Sequence, residues 1–507
     1  MKKFFFSLFL LVNTSQVIAQ KEDYVWVLGS GIGSTGDSLF STTVIDFNES
    51  PPAISLLYKF TPAGFTKASI SSPEGILQCH TNGVDIKNAQ FEVVENGEDL
   101  QSPSTYQGGY VVNQGALFLP FPEHPGKFIF LLCDVFSYQS NNTLISGCRP
   151  LTYSLVDMNA NGGSGEVLEK KIPLTYDTLH LGQLTAVRHG NGRDWWVLAP
   201  SNKGGTIFHK FLATPEGIIW DHAQSVGDSI NLALGQAAIS PNGEWYALYN
   251  LWGVVPVYGY HEIDLYRLNR CSGMLSDHIQ VKDTIYYPGG VAFSPSSRFM
   301  YTSHWDKIYQ WDLHAPDIAA SKTLVAEYDG FLGDYNLPTR FFNMKLAPDG
   351  KIYISVPNYS SRYLHVIEQP DVKGMACNVL QHHIHLPTFN HFSLPNHPVT
   401  RLGVLEGSPC DTLVNAVGEP MGPHIAAWSV YPNPATSSIT LACTVAQDHP
   451  LRWALYDALG RELLSRLMPQ GQTEWHIPLD GAPEGLYFYK IDRDGQTIHT
   501  GKLMIER

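Results

Sequence analysis

The stretch QHHIHLPTFNHFSLPNH (residues 381–397) gathers five histidines, His382, His383, His385, His391 and His397, within sixteen residues. Imidazole nitrogens bind zinc and similar metals, and residues two apart on a strand point to the same side. His383 and His385 are therefore the pair best spaced to share a divalent metal. A stable site needs a third ligand, and the stretch holds no Asp or Glu. Solvated or hydrogen-bonded histidines in a segment that closes a domain are the competing reading, and no cofactor is expected. In SHWDKIYQWDL (303–313), His304 and Asp306 are placed to pair, a contact that braces strands more often than it catalyses. GSGIGSTGDS (29–38) lacks both the Lys of a phosphate-binding loop and a following helix, so it reads as a loop between strands. No Gly-x-Ser-x-Gly elbow occurs, and carboxylates cannot be matched into a glycosidase pair from sequence. The aromatic loop LWGVVPVYGYHE (251–262) offers Trp252, Tyr258 and Tyr260 as ligand contacts.

These residues sit in a chain of 507 residues that opens with Lys2 and Lys3, an apolar run FFFSLFLLV, and small residues up to Ala19. That layout is a cleavable export leader, residues 1–19, with the cut between Ala19 and Gln20. The apolar run is too short to cross a bilayer. Removing Lys2 and Lys3 takes the formal charge from −14 to −16, which disfavours nucleic acid as a partner. The seven cysteines show no CxxC pair; Cys133 and Cys148 are the nearest two in sequence, and buried free thiols are as reasonable as disulfides. An odd count leaves at least one unpaired.

The elements that must position these residues are strands. AAISPNGEWYALY, VAFSPSSRFMYTS and MKLAPDGKIYISV align, with Pro241, Pro295 and Pro348 spaced 54 and 53 residues apart. Each is an alternating strand, a turn and a returning strand, followed by a further strand. Earlier segments repeat the unit, giving about seven units of three or four strands, the pattern of β-propeller blades. The chain is expected to be all-β: an about seven-bladed β-propeller over residues 22–405, a linker over 406–426, and a small Ig-like β-sandwich over 427–507. The strand in DYVWVLG is a candidate to complete the last blade. Five alternating strands are read in the small unit.

That small unit resembles the type A sorting domain of the type IX secretion system of Bacteroidota. The resemblance rests on YPNPA (431–435), YDALGREL (456–463), PEGLYFYKI (483–491) and GKLMIE (501–506). It implies that Pro432, Asn433 and Pro434 form the opening turn, that Asp457, Gly460 and Arg461 belong to the central strand and turn, and that Gly485, Tyr487 and Lys502 belong to the last hairpin. It further implies the type IX machinery as partner, export through the periplasm, and release or lipopolysaccharide anchoring after C-terminal cleavage. The larger part is similar to exported propeller proteins of the same bacteria, through HTNGVDIKNAQFEVVENGEDL (80–100), LTYSLVDMNANGGSGEVLEKKIPL (151–174), YLHVIEQPDVKGMACNVL (363–380) and FSLPNH (392–397). In outline it is also similar to WD-repeat and lactonase-type propellers. Asp-Ser/Thr-aliphatic triplets resemble the O-glycosylation acceptor of such proteins, making Ser38, Thr178, Ser229, Thr284 and Thr412 candidate sugar sites. The expected function is a non-enzymatic glycan- or protein-binding module; a carbohydrate-active hydrolase or lyase, or a structural surface-layer component, is the alternative.

Overall fold

The serine before two of the three repeated prolines, Pro241 and Pro295, explains the local fold. Ser240 and Ser294 turn their hydroxyl oxygens back to accept the backbone N–H of the returning strand, from Trp245 at 2.9 Å and Phe299 at 3.2 Å. The turn is thus closed by side chain as well as backbone, and the two flanking strands pair antiparallel. The computed structural model describes residues 20–30, 37–59, 64–100, 112–140, 143–201, 207–228, 235–251, 261–283, 289–411, 428–443, 449–457, 460–493 and 496–506.

Among the described residues, seven consecutive sheets form the larger unit. Blade 1 has strands Val25–Leu28, Thr42–Asp46 and Ala53–Leu57; blade 2 has Ala68–Ser71, Leu77–Thr81 and Ile86–Asn88. The other five have four strands each. Blade 3 spans Ala116–Pro120, Lys127–Ser140, Thr143–Asp157 and Glu166–Thr175; blade 4 spans Thr185–Arg188, Trp195–Pro200, Ile207–Thr214 and Gly217–Ser225. Blade 5 spans Gly235–Ile239, Trp245–Leu251, His261–Leu268 and Leu275–Asp283. Blade 6 spans Gly289–Phe293, Phe299–His304, Lys307–Asp312 and Thr323–Glu327, and blade 7 spans Met344–Leu346, Ile352–Ile354, Ser361–Ile367 and Val379–Asn390.

No small sheet can bury both faces alone, so the blades bury each other's. Trp195 and Val197 of blade 4 pack with Leu117 and Leu131 of blade 3, and Trp311 of blade 6 packs with Trp245 and Tyr249 of blade 5. Ring closure is of the same kind: Trp26, Leu28 and Ile45 of blade 1 share one core with Tyr353, Leu364 and Val366 of blade 7. The strand in DYVWVLG does not complete the last blade. It pairs with Thr42–Asp46 inside blade 1, and blade 7 draws all its strands from residues 344–390. Side-chain packing, not strand exchange, joins the ends of the ring.

The small unit is a sandwich of a three-stranded and a four-stranded sheet. Ile439, Leu441, Trp475 and Ile477 from one sheet meet Trp453, Leu455, Tyr489 and Ile491 from the other. It has two strands more than the sequence reading assigned, Trp428–Tyr431 and Glu462–Met468. Glu462–Met468 (ELLSRLM) buries only its last residue fully, so its hydrophobicity does not alternate in the way that marks a strand.

Candidate functional site

After blade 7 the chain does not leave the propeller. Residues 391–405 enter its axis and run parallel to the inner strands, bridging Ala68 of blade 2 through Asn396 and Val187 of blade 4 through Val399. Asn396 does most of the joining. Its backbone N–H donates to the Lys67 carbonyl at 2.8 Å, and its side-chain amide donates to the carbonyls of Ala116 in blade 3 and Leu184, beside blade 4, at 3.0 and 2.9 Å. Gln114 and Gln236 work in the same way: Gln114 exchanges two hydrogen bonds with Ala237, and Gln236 accepts from Val291 and Met344 while donating to the Met344 carbonyl. An amide side chain carries one donor group and one acceptor, so it substitutes for the backbone of an absent strand. Gly290 is required here, because a Cβ would lie 2.2 Å from Gln236 Oε1.

Two further anchors hold the ends of this axial segment. At its start, the Lys67 ammonium donates to the carbonyls of Gly64 and His391 at 2.9 and 2.6 Å, and burial pulls its pKa down to about 7. At its exit, Arg270 of blade 5 donates to Gly403, Arg188 and His189 carbonyls, and Cys271 is disulfide-bonded to Cys410. Gly190 lies under that bond, where a Cβ would meet Cys410 Sγ at 2.4 Å. The residues read as the start of a linker, 406–411, are therefore tied to the propeller.

The segment leaves a cavity of about 480 Å³ on the face that carries the turns at Pro241, Pro295 and Pro348. Ile239, Val291 and Leu346 make apolar walls, and Asp23, Lys345 and Arg401 make a charged side. Arg401 pairs with Asp23 at 2.5 Å, and Lys345 donates to the His397 carbonyl at 3.2 Å. Burial raises the Asp23 carboxyl above its ordinary value, pulls Lys345 down to about 8 and keeps His397 neutral.

The opposite face is aromatic. Tyr335 and Tyr359 are 69% and 50% exposed. Tyr335 rests beside Phe389, ring centroids 5.7 Å apart, and Tyr359 beside His391 at 4.7 Å and Phe392 at 4.9 Å. Phe65 stacks on Phe392 at 4.3 Å, and Phe40 meets Phe389 at 5.3 Å. The loop bearing Tyr335 is held by Arg362, which donates twice to Asp334, and Tyr335 and Asn336 both adopt left-handed backbone, φ 54° and 57°. Non-glycine residues occupy that region at a cost of order 1 kcal/mol and cluster at functional sites.

His383 and His385 are both exposed on the outer strand of blade 7, with the His385 ring 5.0 Å from Tyr363. Among the described residues no third ligand joins them, and no group of three His, Cys, Asp or Glu is suited to a metal. His382 instead pairs with Asp329 at 2.9 Å, and His391 and His397 are buried. His304 and Asp306 do not pair. His304 bonds Thr302, which also accepts from Trp311, whereas Asp306 pairs with Arg340. Ser38 is exposed, and Thr178 is half-buried beside Asp177, whose carboxylate holds His209 at 2.8 Å. The candidate contacts Trp252, Tyr258 and Tyr260, the candidate sugar sites Ser229, Thr284 and Thr412, and the leader through Ala19 lie outside the described residues; Gln20 is described. Cys133–Cys148 and Cys271–Cys410 are disulfides, Cys79 and Cys377 are buried free thiols, and Cys443 is buried.

In the sandwich, the motif residues build turns. Asn433 accepts from the Met504 N–H at 2.8 Å and donates to the Lys502 carbonyl at 3.0 Å, fastening the Pro432-Asn433-Pro434 turn to the last strand. Asp457 accepts from the backbone and guanidinium of Arg461 around Gly460, whose φ is 77°. Gly485 opens the strand on which Tyr487 donates to the Pro483 carbonyl at 2.8 Å, and the Lys502 side chain is exposed. Sequence reasoning missed Lys345, Arg401, Tyr335 and Tyr359. The tyrosines carried a signal, each lying next to Asn within a loop, in GDYNLP and PNYSSR.

Residues 429–506 match the family described as "Secretion system C-terminal sorting domain". Among solved structures, a functionally unknown protein from Desulfotomaculum acetoxidans is 14% identical, with a TM-score of 0.36 over 74% of this chain and 99% of the other. The periplasmic gluconolactonase of Pseudomonas aeruginosa is 11% identical, with a TM-score of 0.38 over 73% and 98%. The extracellular domain of a one-component system from B. thetaiotaomicron is 9% identical, with a TM-score of 0.29 over 93% and 62%. No curated protein matches the chain at a significant level. The seven sheets themselves define the fold: this is a β-propeller protein with a C-terminal sorting domain. That domain addresses it to the type IX secretion system, and so to the outer cell surface or the medium.

Proposed function

We propose that the protein is an exported binding module whose propeller engages a glycan through the aromatic face around Tyr335 and Tyr359. The observation that carries this reading is the display of two exposed rings over a bed of Phe40, Phe65, Phe389 and Phe392, with Asn336 and Asn358 beside them. Sugar rings present C–H faces that pack on aromatic rings, while neighbouring amides take their hydroxyls. On this reading a leader is removed after Ala19, residues up to 411 form the propeller domain, and the mature protein is released or anchored to lipopolysaccharide after loss of the sorting domain. Sugar on Ser38 or Thr178 belongs to the same reading and is checked by intact mass.

Affinity electrophoresis through a panel of polysaccharides tests the proposal. The wild type is expected to be retarded by at least one polymer, and the double variant Tyr335→Ala/Tyr359→Ala to bind it about tenfold more weakly, as two lost ring contacts predict. Both tyrosines are exposed, so the variant should melt as the wild type does. Retardation unchanged in the variant would remove the glycan from the aromatic face, and retardation absent with every polymer would move the assignment to a protein ligand.

A further inference from the structure

We propose that the axial cavity on the proline-turn face is a second ligand site, which takes a small carboxylate carried on a compact apolar body, such as an N-acylated apolar amino acid. It is separate from the aromatic face and does not depend on glycan binding.

Charge is the first argument. One carboxylate, Asp23, faces two cations, Lys345 and Arg401, and Asp23 is already engaged by Arg401 at 2.5 Å. The Lys345 ammonium has three N–H groups and commits one, to the His397 carbonyl at 3.2 Å. An anion entering the cavity balances the remaining positive charge. Enclosure is the second argument. Thr185 and His397, both lining the cavity, are 7% and 5% exposed, so a charge pair formed there is shielded from bulk water and is stronger than one at the surface. Shape is the third. About 480 Å³ lies within the range of small-molecule sites, and the walls of Ile239, Val291 and Leu346 suit an aliphatic group better than a fully hydroxylated one.

The test is calorimetric titration of the mature full-length chain with N-acetyl-leucine and with its neutral isostere N-acetyl-leucinamide. The acid is expected to bind at pH 7 and the amide at least about tenfold more weakly, since the amide loses the charge-assisted hydrogen bond to Lys345. Lys345→Met is expected to lower affinity for the acid by a similar factor, whereas Tyr335→Ala/Tyr359→Ala leaves it unchanged. Affinity of the wild type should also fall between pH 7 and 9.5, as the ammonium of Lys345 is lost near about 8. The groups facing that ammonium are Asp23, Arg401 and His397, and His397, held neutral by burial, does not titrate in this window. Equal binding of acid and amide, no binding of either, or full affinity in Lys345→Met would each overturn the proposal. Should Lys345→Met not fold, the pH profile of the wild type decides alone.

Discussion

At the residue scale, the histidines that matter most are the buried ones. His80, His365 and His391 are pushed down to about 3, burial being the main cause in each. His391 serves as an aromatic ring among Phe65, Tyr359 and Phe392. An unfolded histidine binds its proton near pH 6.5, so between 6.5 and 3 the unfolded chain holds more protons than the folded one and stability falls with pH. The expected loss is roughly 1.4 kcal/mol per histidine per pH unit. Melting followed by circular dichroism should therefore show a steady drop from pH 6.5 downward; a flat profile to pH 4.5 would refute it. Sequence spacing drew attention to His383 and His385, which lie on the surface, because alternation shows which side chains share a face but not which face is buried. The same blindness hid Lys345, an ordinary alternating residue of MKLAPDG until the axial segment is laid against it.

At the element scale, the axial segment was the least legible part of the fold. Its hydrogen bonds come from single amides reaching residues far away in the chain: Asn396 to Ala116 and Leu184, Gln114 to Ala237. Such contacts leave no periodicity to read. The proline turns, by contrast, were legible because each hairpin is local and its proline recurs at a fixed offset, preceded by serine in two of the three. The Cys271–Cys410 bond closes 139 residues of chain and pins the exit of the segment. By loop-closure entropy its removal should cost about 3–5 kcal/mol. The variant Cys271→Ser/Cys410→Ser is expected to fold, with hydrogen exchange accelerated over residues 400–411 and unchanged in blades 2 and 3. Unaltered protection of 400–411 would mean that Arg270 and the backbone bond from Leu405 to Gly190 suffice as anchors.

For the whole molecule, the blade count and the sorting domain were both visible in sequence, the first through repetition and the second through turn residues such as Asn433 and Gly460. How the ring closes was not visible, because it depends on Trp26, Tyr353 and Leu364 meeting across more than three hundred residues. If the axial segment is integral to the propeller, residues 20–411 should melt in one cooperative transition, while residues 20–390 should be insoluble or melt at least ~10 °C lower. Equal melting of the two fragments would show the ring to be self-sufficient. The disulfide also decides where force goes. A pull on the sorting domain travels along the connecting chain to Cys410, and from there the covalent bond diverts it into the Cys271 turn of blade 5. Asn396 and its hydrogen bonds stay out of the load path. A protein hauled or tethered by its tail is thus gripped by its rim, and the cord through its centre stays slack.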